Sequence, residues 1–369
     1  MTRSSTLDDL VAAIRTAHDN RTPLRIRGAG SKDFYGGMLA GEVLDVAGYR
    51  GIVAYEPTEL YITAKCGTPL AEIEATLAEK GQMLAFEPPH FSGVTAGDAG
   101  ATVGGCVAAG LSGPRRQQAG AVRDFMLGVK LIDGTGQVLN FGGQVMKNVA
   151  GYDLSRLLAG SLGTLGVLAE VTLKVLPRPV AEQTLVFDMN EGEAISRLNQ
   201  WGGQPLPLSA SFWHENQLWL RLSGARAAVE AARGKLGGTV VPQGDLLRGV
   251  GDAEKLWISV REQTHPAFSG PILWRLALPS TAHSPGLDGL RAIEWGGGLR
   301  WYAGELDAVR GAAARAGGHA VLYHAPESLR CREGAFASLA PALLALHRRL
   351  KNSFDPGRIL NPGRLYAEF

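Results

Sequence analysis

Cysteine is scarce in this chain. Cys66, Cys106 and Cys331 are its only three, far apart and without a Cys-x-x-Cys pair. An iron–sulfur cluster held by the chain itself typically needs about four thiolates, so none is expected, and an odd, sparse count fits a reducing, cytoplasmic setting. Long apolar runs are missing too: nowhere do 18 apolar residues follow one another, so no transmembrane helix is expected. Neither sign of charge prevails. Lys and Arg total 37 against 35 Asp and Glu, a net charge of +2, and no five like charges run together. Nucleic acid and an anionic membrane surface are therefore poor fits for the main partner. The N-terminus does not read as a signal peptide. It opens with a capping box, Thr6-Leu7-Asp8-Asp9, with Leu7, Leu10, Val11 and Ile14 on one helical stripe.

What abounds is glycine. Seven of the 21 residues from Gly93 to Gly113 are glycine, and almost no large side chain interrupts the run. Glycine loses backbone entropy on folding, so a dense apolar glycine run marks backbone that something approaches closely. Uncovered N–H groups there can cradle an anionic or flat ligand. Two further clusters accompany the run: Arg27-Gly28-Ala29-Gly30-Ser31-Lys32, and Gly160-Ser161-Leu162-Gly163-Thr164-Leu165-Gly166-Val167. The first follows an expected strand, and Ser31 and Lys32 add a donor and a charge suited to a phosphate. Alone, it fits a plain turn equally well. A nicotinamide-type dinucleotide fold needs a helix opening at the glycines, and Asp33-Phe34-Tyr35-Gly36-Gly37 cannot continue as one.

A length of 369 residues allows two domains. Short strands are expected at 24–27, 43–46, 52–55 and 61–65. Thr68 then caps a helix with Pro69 at its first position, Leu70, Ile73 and Leu77 inward, and Gly81 past its end. Strands at 126–132 and 138–141 flank the Asp133–Gly136 turn. From Val167 to Val175 apolar residues alternate, until Pro177 and Pro179 mark a boundary that closes a first domain, 1–179. A second unit, 180–333, mixes a hairpin (Ser209–Trp213 with Leu218–Leu222), strands at 272–278, 299–302 and 320–324, and helices near 192–201, 225–236 and 305–317. That texture predicts an α+β domain with an antiparallel sheet. Phe336, Leu339, Leu343, Leu346 and Leu350 predict a helix, and the tail 355–366 is expected to return to the first domain, making 334–369 a closing segment.

The motif order Thr102-Val-Gly-Gly105, Gly110-Leu-Ser-Gly113, Gly120-x-x-Arg123-Asp124, Lys147-Asn148-Val-Ala-Gly151-Tyr152-Asp153-Leu and Gly160 to Val167 resembles the FAD-binding domain of the vanillyl-alcohol oxidase and p-cresol methylhydroxylase superfamily. Glu87-Pro-Pro-His90-Phe91, Gly110 to Arg116, Leu273-Trp-Arg275, Trp295-Gly-Gly-Gly-Leu-Arg300-Trp301 and Asn361-Pro-Gly-Arg364-Leu-Tyr366 narrow the likeness. They are similar to the FAD-binding subunits of bacterial glycolate oxidase, over nearly the whole chain. The resemblance implies an α+β protein: a two-subdomain FAD-binding domain of the p-cresol methylhydroxylase type, and an α+β cap with an antiparallel sheet. It places the FAD pyrophosphate at Arg27, Gly28, Ala29, Gly30 and Ser31, beside Lys32. Flavin and ribityl contacts fall to Thr102, Gly104, Gly105, Gly110, Ser112 and Gly113. The adenosine side goes to Gly163, Thr164, Gly166 and Val167, and Asn361 and Arg364 would approach the isoalloxazine. Arg116 and Asp124, on a flanking loop, join the cofactor set, although a solvated face is the other reading of such arginines. No His lies between Arg27 and Gly37, so FAD is expected to be held non-covalently.

Oxidising an α-hydroxy acid needs hydride transfer to the flavin, a base for the hydroxyl proton and a cation for the carboxylate. Arg275, in an apolar strand, is the first choice for the carboxylate because guanidinium binds it bidentately. Arg300 comes second, and both could instead be structural ion-pair partners. His90 is the proposed base. No metal is expected, since His214, His265, His283, His319 and His324 show no ligand spacing. The resemblance implies a small 2-hydroxy-acid substrate (glycolate or D-lactate), a larger FAD-linked catalytic subunit and an iron–sulfur subunit as partners. The chain would be cytoplasmic and reach the inner membrane only peripherally, through its partner. Trp213 and Trp295 are considered as interface anchors. A non-catalytic or electron-relay FAD-binding scaffold, with substrate oxidised on a sister flavoprotein, is the alternative reading.

Overall fold

Thr6 and Asp9 cap the first helix, Leu7–Asn20, as the sequence predicts, and Leu10 and Ile14 are fully buried beneath it. The computed structural model describes residues 6–92, 100–143, 153–242, 252–305 and 307–369. The Gly93–Ala99 part of the glycine run and the Lys147–Tyr152 part of the next motif therefore lie outside the described residues.

Two antiparallel sheets organise these residues. The first has five strands in the order Ile52–Glu56, Tyr61–Lys65, Val167–Lys174, Met126–Ile132 and Val138–Gly142. Its central strand, Val167–Lys174, is buried on both faces, so its alternation does not separate a dry side from a wet one. A parallel pair, Leu24–Arg27 with Glu42–Asp45, stands beside it. The second sheet has eight strands, in the order Thr239–Val241, Ala181–Asp188, Gln217–Gly224, Leu208–His214, Leu290–Glu294, Leu299–Ala303, Leu273–Ala277 and His319–His324. Ala181–Asp188 opens on polar Glu182-Gln183-Thr184 and carries no clean alternation, and it was not among the expected strands. Its pairing with Gln217–Gly224 supplies the order instead.

Several local expectations are corrected. The helix Leu70–Ala78 is preceded by Pro69 as N-cap, with no side-chain cap. The Thr68 hydroxyl is engaged elsewhere, donating to the Lys65 carbonyl and accepting the Gly51 N–H. Within the glycine run, Val103–Ala109 is a short helix rather than a loop, with Thr102 accepting the Gly105 N–H and Gly110 closing it in the left-handed region. Two successive glycines disfavour a helix by about 1 kcal/mol each. Packing requires Gly104, because a Cβ there would stand 2.6 Å from Cys66 Cβ. The C-terminal helix starts at Pro341, beyond Phe336 and Leu339, and it leaves Leu343 and Leu346 43% and 45% exposed. The leucine periodicity here marks a face left open among the described residues.

The C-terminal tail does return to the first sheet's side. Leu24 donates its N–H to Ile359, and Leu24 and Leu360 form a parallel bridge. A buried ion pair anchors it: Lys351 Nζ lies 2.7 Å from Asp355 Oδ2 and also donates to the Thr164 and Leu360 carbonyls.

Candidate cofactor cleft and arginine cluster

Three loops and the tail converge on one cleft. Arg27 to Lys32 form one wall, Thr102, Gly104 and Gly105 a second, and Gly163, Gly166 and Val167 a third, with Asn361 and Arg364 behind. The glycines have separable reasons. A Cβ at Gly28 would come 2.5 Å from Thr102 Oγ1, and Gly30 sits at φ +78°, so the first is demanded by a neighbouring side chain and the second by its own backbone. A Cβ at Gly105 would meet only Thr102 Oγ1, at 3.3 Å. A larger side chain there would grow into the cleft rather than into protein.

The charges fit a dianionic ligand. Lys32 is enclosed, and burial pushes its ammonium below the usual lysine range while Glu262 pulls it back up. Its Nζ has only Ser31 Oγ at 3.3 Å and the Phe91 ring at 5.3 Å as near partners, with no carboxylate in ion-pair reach among the described residues. A half-buried cation without a counter-ion is costly unless a ligand supplies one. A diphosphate beside Ser31 and the Gly28–Gly30 backbone would do so. Cys66 also lines the cleft, but burial pushes its thiol up to about 12, so it is a packing group and not a ready covalent attachment point.

Asn361 and Arg364 act through the loop and do not project into free space. Asn361 accepts the Ile26 N–H at 2.7 Å and donates to the Leu162 carbonyl at 2.6 Å. The Arg364 guanidinium donates to the carbonyls of Lys32, Asp33, Tyr35 and Gly37. The tail thereby shapes the Lys32–Gly37 turn. Other expected cofactor residues stand outside this cleft. Ser112 accepts the Val122 N–H, and Asp124 accepts the Ala121 N–H. Gly110 packs on Gly160, and Gly113 on Glu87. The Thr164 hydroxyl donates to the Ser161 carbonyl.

The predicted catalytic residues separate. Arg275 and Arg300 lie on adjacent antiparallel strands, but Arg275 pairs with Trp301 and Leu276 with Arg300, so the two arginines occupy opposite faces. Arg300 is fully buried, its guanidinium spent on the carbonyls of Gly297, His283 and Ala282. His90 is drawn to Glu74, with Nε2 to Oε2 at 3.1 Å, while its backbone N–H reaches Glu262. None of the three, Arg275 included, lines the cleft.

Arg275 has different company. Its Cζ lies 5.0 Å from the centre of the Trp295 ring and 5.9 Å from that of Trp301. Arg116, from the other half of the molecule, stacks on the same Trp295 ring at 4.4 Å. Each guanidinium acts on Tyr35 and on His319. Burial and the neighbouring Arg275 push Arg116 down to about 10. Trp295 is not an exposed anchor: it sits at φ +53°, and its indole N–H donates to the Gly113 carbonyl across the junction. Trp213 is buried, with its N–H on the Met189 carbonyl.

The sequence reading passed over Glu294. It is buried and accepts the Trp301 indole N–H at 2.7 Å, and burial lifts its carboxyl to about 7 against the pull of Trp301 and Arg275. A glutamate directly before Trp295-Gly-Gly-Gly is the only trace it leaves in the sequence.

Comparison with known proteins places this geometry. The FAD binding domain family matches residues 2–142, and the family of FAD linked oxidases, C-terminal domain, matches residues 334–365. The glycolate oxidase subunit GlcE of Escherichia coli (strain K12) is 47% identical over 362 residues, covering 97% of both chains. The glycolate oxidase subunit GlcD of Bacillus subtilis (strain 168) is 30% identical over 182 residues, 48% of this chain and 37% of its own. Among solved structures, p-cresol methylhydroxylase with substrate bound superposes with a TM-score of 0.68 at 15% identity, covering 98% of this chain and 88% of its own. That last likeness speaks to the fold alone.

Proposed function

The chain belongs to the family of glycolate oxidase GlcE subunits, FAD-dependent oxidoreductase subunits of the 2-hydroxy-acid class, and from that premise we propose that it oxidises glycolate, or a similarly small 2-hydroxy acid, at the junction of its two sheets. FAD bound in the cleft supplies the hydride acceptor. Lys32, Ser31 and the Gly28–Gly30 backbone hold its diphosphate, and Asn361 and Arg364 keep that turn in shape. Arg275 receives the substrate carboxylate, and Trp295 and Trp301 keep its guanidinium in place and partly shielded from water. The observation that carries the reading is this cation beside the cofactor loops, without a carboxylate partner in ion-pair reach among the described residues.

Electrons must then leave. The chain has three scattered cysteines, so an iron–sulfur partner subunit is the proposed acceptor, within a complex that also holds a larger flavoprotein subunit. The relative's designation as a subunit supports a multi-subunit assembly. No helix among the described residues is long and apolar enough to cross a membrane, so the proposed contact with the inner membrane runs through the partner. Replacing Arg275 with Met tests the site. Loss of a shielded charge contact typically removes ~2–5 kcal/mol, so the KM for glycolate should rise steeply while the melting temperature holds. Unchanged kinetics would remove Arg275 from the site.

A further inference from the structure

Arg116 and Arg275 come from different halves of the molecule, yet both guanidiniums stack on one indole, at 4.4 and 5.0 Å from the centre of Trp295. Arg116 stands on the short helix after the glycine run, and Arg275 on an inner strand of the eight-stranded sheet. Two like charges held this close repel each other, and a folded chain normally offsets that with a carboxylate. Here none is within ion-pair distance of either guanidinium among the described residues, although the arginines of the same junction, Arg115 and Arg221, are both paired, at 2.5 to 3.3 Å from Glu87 or Glu182. The neighbours that act on the pair are Tyr35, His319 and, on Arg275 alone, Tyr323 and the buried Glu294 carboxyl, which stays beyond ion-pair reach and keeps its proton up to about pH 7. Asp124 acts on Arg116 only from a distance.

We propose that Arg116 and Arg275 form one two-pronged anion site, closed by both halves of the chain over Trp295, which grips the carboxylate of the 2-hydroxy acid. Arg116 is then a substrate-binding residue, not a cofactor ligand. The proposal deepens the reading of Arg275 given above and rests on it for the substrate class. Its chemistry is that of forked guanidinium donors on a planar carboxylate. The offset for like-charge repulsion arrives with the substrate, so an anion should bind far better than a neutral analogue such as ethylene glycol.

The test uses the full chain loaded with FAD and oxalate, a carboxylate with no hydrogen to give up, followed by tryptophan fluorescence. Arg116→Met is expected to weaken oxalate binding by about 10- to 100-fold, the usual worth of a hydrogen bond to a charged group. FAD affinity should stay within about twofold, because no phosphate contact is lost. Arg116→Lys should recover part of the affinity. Combining Arg116→Met with Arg275→Met should cost less than the product of the two single effects. Unaltered oxalate binding by Arg116→Met, loss of FAD in place of oxalate, or purely multiplicative effects would each overturn the proposal. If the wild-type chain binds oxalate but anaerobic glycolate leaves its flavin oxidised, the anion site stands and the substrate assignment fails.

Discussion

At the residue scale, the cleft separates glycines the fold needs from one it leaves for a ligand. Gly28, Gly30 and Gly104 are constrained by Thr102, by a left-handed backbone and by Cys66. Gly105 is not, and a valine there should give a folded chain, with a melting temperature within a few degrees of wild type, that no longer retains FAD. A Gly105→Val chain that binds FAD normally would move the cofactor elsewhere. Glu294 offers a second test, with a defined sign. Its folded-state value of about 7 lies above the ordinary 4.5, so between those pH values the native chain keeps a proton that the unfolded chain releases. Stability contributed by this group therefore falls as pH rises from about 4.5 to 7, by about 3 kcal/mol. The groups acting on it are the Trp301 N–H, Arg275 and Glu87. Glu294→Gln should flatten the melting temperature across that window, and an unchanged slope would contradict the assignment.

At the scale of elements, much was legible because local chemistry agreed with tertiary need. The capping box at Thr6, the Asp133–Gly136 turn and the hairpin at His214–Gln217 each appear where the sequence put them. What stayed hidden depended on partners distant in the chain. Ala181–Asp188 is a strand because Gln217–Gly224 pairs with it, and the Val103–Ala109 helix carries Gly104 because Cys66 leaves no room for a side chain there. Arg275 and Arg300 could be chosen from composition, but only the strand register separates their faces. The tail is the element whose role changed most. It reads as a turn-rich closing segment, and its buried Lys351–Asp355 pair and the Arg364 fork make it the brace of the Lys32–Gly37 turn. Asp355→Asn leaves Lys351 buried without its counter-ion, and breaking such a pair typically costs ~3–5 kcal/mol. FAD affinity should fall along with the unfolding midpoint. Weakened FAD binding without any loss of stability would contradict the bracing role.

At the scale of the whole molecule, the two sheets are tied by a buried ionic network. Glu87 accepts from Arg221 at 2.8 Å and from Arg115 at 3.3 Å, and Arg115 also meets Glu182 at 2.5 Å. Burial works against the Glu87 carboxylate, yet Arg221 and Arg115 hold it below its ordinary range. A lowered carboxyl stabilises the native state at pH above its unfolded value, and that support is lost as pH falls through the folded one. Glu87→Gln should therefore lower stability most at neutral pH and least in acid. The exposed Leu343 and Leu346 contribute little to this fold, so changing both to Glu should leave the isolated chain's melting temperature nearly unchanged.

The central claim is that this chain itself oxidises a 2-hydroxy acid on bound FAD. The visible spectrum of the purified, FAD-loaded chain, recorded before and after anaerobic addition of glycolate, tests it most directly. The account predicts a yellow protein whose flavin absorbance is bleached by glycolate and restored by an added electron acceptor. A yellow chain whose spectrum glycolate leaves unchanged, while the assembled complex turns over, would contradict it and assign the oxidation to a sister subunit.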